Sequence, residues 1–197
     1  MSFPYTENLI NTALTYAAYR NGIKENLLKV ISTDQEQKMR PYIEKNSALM
    51  DKYDQTYEVA EDLKSALYTA PATNWLVLSE GWCGDAAFNV PMLAAIERAM
   101  PEKVKLRILL RDTNLELMDA HLTDGGRSIP KLIILSEDLK ELGTWGPRPE
   151  GLQQLMKIWK SEELSLKEII PKVHDWYEQD KTKSVQEELK ELVRSYS

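Results

Sequence analysis

This sequence predicts an α/β protein: a mixed central sheet of about four strands flanked by helices, with helical extensions at both ends. Three observations predict it. Short strand-like segments recur mid-chain at Trp75–Leu78, Val104–Leu110 and Leu132–Leu135, the first an apolar run too short for a helix, as a strand buried on both faces requires. Helix-period segments separate the runs, so the first three strands are joined by helical crossovers in the order β-α-β-α-β-β-α. Residues 1–70 and 161–197 are instead polar, charged and helix-periodic. We therefore divide the chain into an N-terminal helical extension (1–70) packed on the core, an α/β domain (71–160) and a C-terminal helical extension (161–197).

The elements follow in order. Leu9, Ala13, Leu14, Ala17 and Ala18 repeat at helical spacing, with Asn21-Gly22 as a stop. Thr33-Asp34-Gln35-Glu36 has the form of a capping box. After it Met39, Ile43, Met50, Tyr53, Tyr57, Ala60 and Leu67 form a stripe, which predicts one long helix bent near Pro41. Such a Met and Tyr stripe is read as core packing rather than a ligand box. Trp75–Leu78 is the first strand. Gly84–Met100 is helical through Phe88, Met92, Leu93 and Ile96, with a kink at Pro91. Val104–Leu110 is the second strand. Thr113-Asn114-Leu115-Glu116 caps a short helix to about Leu122, and Thr123–Gly126 is a loop. Leu132–Leu135 is the third strand and Glu141–Trp145 the fourth, after the turn-like Ser136-Glu137-Asp138. Pro149 opens a helix through Leu152, Leu155, Met156 and Trp159. Ser165–Glu168 and Ser184–Glu187 are further capping boxes, and Leu189, Leu192, Val193 and Tyr196 face inward from the last helix. The expected sheet uses residues 74–79, 103–110, 131–136 and 141–145. Its first three strands are expected parallel, and the fourth antiparallel because it alone follows a short turn.

The composition is 43% hydrophobic and 28% charged, ordinary for a globular protein. A net charge of -6 argues against a nucleic-acid surface, which needs clustered Lys and Arg. No segment has the pattern of a signal peptide or a membrane span. One cysteine in 197 residues excludes an internal disulfide framework and points to a reducing compartment. The expected location is the cytoplasm. His121 and His174 stand apart in sequence without companion ligands, so no metal site is expected.

That cysteine lies in SEGWCGDAAFN, residues 79–89. Strand Trp75–Leu78, turn Glu80–Trp82, Cys83 and the helix from Gly84 resemble the active-site strand, turn and helix of the thioredoxin family. Ser128-Ile129-Pro130-Lys131 precedes a strand, as that family's cis-proline does, and Leu142–Gly146 resembles its groove-closing strand end. The resemblance covers about Asn74–Trp159. It implies a thioredoxin-like fold with Cys83 as the reactive thiol. Trp82, Gly84, Asp85, Ile129, Pro130, Trp145 and Gly146 would border the substrate groove, with both tryptophans partly exposed. It further implies that Ile129–Pro130 is cis and leaves the Ile129 backbone able to pair with an extended partner.

A cysteine just before a helix meets orphan backbone N–H groups and the positive end of the dipole, which favour its thiolate. Asp85 opposes that effect, and the sequence does not settle which wins. Ala86 stands where a second cysteine would complete Cys-x-x-Cys. Val77 stands where the family usually carries a buried acid. Two function classes follow. One is a monothiol thiol-disulfide oxidoreductase whose mixed disulfides with protein thiols or glutathione are resolved by an external thiol. The other is a non-catalytic thioredoxin-fold module that binds a protein or peptide. A third reading, two chains sharing an iron-sulfur cluster through Cys83 and glutathione, fits poorly because the residues after Cys-Gly differ from that family's motif. No resident cofactor is expected.

Overall fold

The computed structural model describes residues 3–197. Helix α1 (Glu7–Thr12) is capped by Thr6, and α2 (Tyr16–Leu28) by Thr15. Helix α2 runs straight through Asn21-Gly22, since Ile23 is buried beyond it and the burial outweighs the local stop signal. Arg40 terminates α2 instead, donating to the carbonyls of Leu27, Lys29 (2.7 Å) and Asn26 (3.4 Å). The Thr33/Glu36 capping box forms and opens α3 (Asp34–Thr56), which holds Pro41 internally. The predicted long helix is in fact two. Tyr57 caps α3, and the stripe continues into a separate α4 (Glu61–Thr69).

Strand β1 (Thr73–Ser79) leads into α5 (Gly84–Ala99), and β2 (Val104–Leu110) follows. A 3-10 turn (Arg111–Thr113) and a short α6 (Leu115–Asp119) come next. Thr113 forms no capping box there; its hydroxyl donates to the Leu110 carbonyl at 3.2 Å. Strands β3 (Lys131–Ser136) and β4 (Glu141–Trp145) precede α7 (Glu150–Ser161), α8 (Leu166–Asp180) and α9 (Lys183–Ser195). Ser165 and Glu168 close a capping box on α8. Ser184 does not cap α9: it lies inside the helix, and its backbone N–H is held by the Asp180 carboxylate at 3.1 Å.

The four strands stand in the order β2-β1-β3-β4. This is the expected mixed thioredoxin-like sheet, but one direction differs from the expectation. β1 and β2 are parallel, whereas β3 runs antiparallel to β1, and β4 antiparallel to β3. A parallel third strand needs a crossover that returns the chain to the starting end of the sheet. The five-residue α6 stays at the end where β2 finished, so β3 enters from there and runs back. The consequence is functional. The register pairs Leu78 with Lys131, which sets the residues before β3 beside the turn after β1.

The sheet core is dominated by apolar side chains: Trp75, Leu76, Val77, Leu78, Leu106, Ile108 and Leu132–Leu135 are all 0% exposed. One continuous buried cluster runs from Ile10 on α1 to Val193 on α9. A second cluster of Tyr53, Phe88, Leu152 and Tyr177 fastens α8 to α5 and α3, with the Phe88 and Tyr177 rings stacked at 4.2 Å. No described helix is long and apolar enough to cross a membrane.

Candidate functional site

Cys83 is the N-cap of α5, with extended backbone (φ -79°, ψ 120°) and no side-chain cap on the helix. Its turn is held from two sides. The Cys83 N–H donates to the Glu80 carbonyl at 3.1 Å, and Asn46 on α3 donates to the Gly81 carbonyl at 3.1 Å. The β1/β3 register delivers Ile129–Pro130, a cis peptide, to the sulfur. The Cys83 thiol donates to the Ile129 carbonyl at 3.2 Å. Gly146 lies behind Pro130 at φ +107°, where a Cβ would stand 2.3 Å from the Pro130 carbonyl oxygen. Only glycine fits there.

The thiol is nearly covered, the residue being 7% exposed. Burial pushes its pKa up to about 12, and the Asp85 charge adds to the rise. The backbone N–H groups of Ala86 and Asp85, and the Arg148 charge, work the other way without prevailing. The contest left open by the sequence therefore falls to the neutral thiol, because desolvation is a larger effect than the helix terminus. Asp85 is itself buried and fully engaged. Arg148 grips both its carboxylate oxygens, one at 3.1 Å, and the Tyr177 hydroxyl donates to it at 2.9 Å. Asn89 completes the network by donating to the Tyr177 oxygen at 2.9 Å and to the Asp85 carbonyl at 3.0 Å. A buried carboxylate persists when ion-paired and hydrogen-bonded in this way.

A strand, turn and helix with cysteine at the helix start, facing a proline before an antiparallel strand, now has a sequence match to set beside it. The profile described as thioredoxin matches residues 32–164, well over half of the chain. This chain belongs to the thioredoxin family. Two solved structures have similar folds. One is a protein of unknown function from Pseudomonas aeruginosa, 14% identical, TM-score 0.68, with 99% of this chain and 100% of that chain covered. The other is an HIV epitope-scaffold, 16% identical, TM-score 0.63, with 98% and 100% covered. At these identities they speak for the fold alone. No curated protein matches the chain.

On this thioredoxin-family frame the sulfur borders a cavity of about 420 Å³. Of the residues expected to surround it, Trp82, Cys83, Gly84, Asp85 and Ile129 line the cavity. Pro130 is buried beneath, and Gly146 supports Pro130 from behind. Trp145, expected partly exposed beside the sulfur, is 7% exposed; its indole N–H donates to Glu188 of α9 at 2.6 Å. The last helix covers it, and it is not part of the groove. Trp82 is half-buried, with the Arg111 guanidinium 4.8 Å from its ring centroid, a cation–π contact.

The cavity's other walls were not foreseen from the sequence. Tyr42, Lys45 and Asn46 come from α3, Leu166, Ile169, Ile170, Val173 and His174 from α8, Arg111 from the 3-10 turn after β2, and Arg127 and Arg148 from loops. Arg148 carried one legible signal, its place two residues after Gly146 beside the expected groove. The α3 and α8 residues carried none, since only the fold brings helices so distant in sequence together. Among the described residues no group of three or more His, Cys, Asp and Glu is placed to hold a metal ion. His121 lies away from this site, bonded to Tyr5 at 2.8 Å and Glu141 at 3.0 Å.

Proposed function

We propose that this chain is a monothiol thiol-disulfide oxidoreductase whose thiol is released by the partner it binds. The observation that supports this reading is the Cys83 thiol bonded to the Ile129 carbonyl at the edge of a groove. That proton keeps the resting sulfur unreactive, since the thiolate is the nucleophile. An extended segment pairing with the Ile129 backbone competes for the same carbonyl. Displaced from it, Cys83 gives its proton to solvent, and the thiolate is held by the Asp85 and Ala86 N–H groups at the start of α5. It attacks one sulfur of the partner's disulfide. A Cys83–sulfur bond forms, the partner's S–S bond breaks, and the second sulfur leaves as a thiolate.

Ala86 offers no internal thiol, so an external one completes the cycle. Glutathione serves in its reduced form: its thiolate attacks the partner sulfur of the mixed disulfide, and Cys83 leaves as thiolate. A second glutathione frees that sulfur as a thiolate and leaves as oxidised glutathione, so the two electrons come from two glutathione molecules. Such a cycle suits a reducing compartment such as the cytoplasm. The second reading, a binding module in which Cys83 does no chemistry, is favoured by the burial that pushes the thiol to about 12. Turnover of a glutathionylated peptide with excess glutathione at pH 7 separates the two. Turnover by the wild type and none by Cys83→Ser supports the oxidoreductase. Equal background from both, with both binding the peptide, leaves the binding module.

A further inference from the structure

We infer that the groove accepts an extended protein segment that is both apolar and acidic, selected by α3 and α8. This rests on the groove reading above and names the partner's chemistry. The first observation is the run of space. A second cavity of about 590 Å³ shares Trp82 and Arg111 with the 420 Å³ cavity at Cys83. Its far end is bounded by Asn26, Lys29 and Thr33. Single small-molecule sites occupy roughly 300 to 1,000 Å³ in one concavity. Two cavities that share a Trp82–Arg111 wall instead suit a chain segment lying over that pair.

The second observation is the apolar rim. Tyr42 (50% exposed), Leu166 (72%) and Ile170 (36%) are among the large hydrophobic side chains left open to solvent, and all three line the Cys83 cavity. Grouped exposed apolar residues of this kind mark recognition surfaces. The third is charge. Lys45, Arg111, Arg127 and Arg148 line the Cys83 cavity against one acid, Asp85, on a chain whose net charge is -6. The neighbouring cavity instead sets Glu36, Glu80 and Asp112 beside Lys29, Arg40 and Arg111, so the cationic excess lies at the Cys83 end. Asp85 is consumed by Arg148. Arg127 is paired with Asp119 and Arg111 with Asp112, and Lys45 is in no ion pair among the described residues. The local field therefore favours a carboxylate near Lys45, against the sign of the whole chain.

The test uses a displayed library of cysteine-free ten-residue peptides selected on immobilised full-length protein. The wild type and Cys83→Ser are expected to enrich the same peptides, combining Asp or Glu with large apolar residues. Lys45→Glu should erase the acidic preference, and Leu166→Asp should weaken the selected peptides about tenfold in fluorescence anisotropy. Both side chains are exposed, so folding of either variant is checked by its unchanged melting curve. Enrichment of basic or uncharged peptides, or the same enrichment on Lys45→Glu, overturns the inference. So does failure to enrich any peptide while reduced glutathione alone shields Cys83, since the occupant is then a small thiol. Acidic peptides that bind without altering Cys83 reactivity overturn the release step proposed for the thiol and leave this inference standing.

Discussion

Challenging the free protein with a small neutral disulfide at pH 7 measures how far the fold silences Cys83. Its pKa, raised to about 12, leaves roughly one molecule in 100,000 as thiolate at pH 7, against about 3 in 100 for a free cysteine near 8.5. That is a deficit of about 3,000-fold. A more basic thiolate is a better nucleophile, and a Brønsted slope of about 0.4–0.5 over some 3.5 units returns about 40-fold. Exchange with hydroxyethyl disulfide should therefore run about a hundredfold slower than in an unfolded peptide carrying the same residues. With one cysteine in the chain, the adduct is read directly by mass spectrometry. The rate should climb about tenfold per pH unit from 7 to 10, because thiolate is the limiting species. Asp85→Asn should raise the rate at pH 7 about threefold or more: it removes the opposing anion and leaves Arg148 facing the sulfur. A wild-type rate within threefold of the peptide's, or a plateau below pH 9, would show that burial and the Asp85 charge do not silence the thiol.

Four further outcomes follow from the same structure. The raised Cys83 pKa means the folded state keeps a proton that the unfolded chain releases, so this stability is present below about pH 8.5 and lost as pH rises toward 12. Denaturation between pH 9 and 10 should show a loss of about 1.4 kcal/mol per pH unit that Cys83→Ala removes. Arg148→Ala strands the Asp85 carboxylate, whose side chain is 11% exposed, and should lower stability by about 3 kcal/mol or more in urea titration. Gly146→Ala drives a methyl into the Pro130 carbonyl and should cost about 3 kcal/mol or more, with a matching fall in urea midpoint. Thr33→Ala removes one half of a capping box on exposed backbone and should cost only about 1 kcal/mol, leaving Cys83 exchange unchanged.

What the sequence determined by itself is local. Trp75–Leu78 and Leu132–Leu135 are strands because short apolar runs have nowhere to go but a buried sheet, and Val104–Leu110 because Val104, Leu106 and Ile108 alternate with Lys105 and Arg107. The Thr33 and Ser165 caps close between partners three residues apart. The Trp82-Cys83-Gly84 turn and Ile129–Pro130 could be paired through the family resemblance, and Ala86 already excluded a second thiol. Tertiary structure decided everything that depends on which distant segments meet. The direction of β3 depended on whether α6 carried the chain back across the sheet, and five residues did not. Trp145 reads as a groove residue in sequence, yet α9 covers it. Ser184 and Thr113 fit the capping pattern but other partners took their places. The ionisation of Cys83 was undecidable locally, since the helix terminus and Asp85 act within three residues while the dominant influence is burial by the assembled fold. The groove's walls on α3 and α8 were hidden for the same reason: periodicity identifies the buried face of a helix, but only packing shows what stands opposite its exposed one.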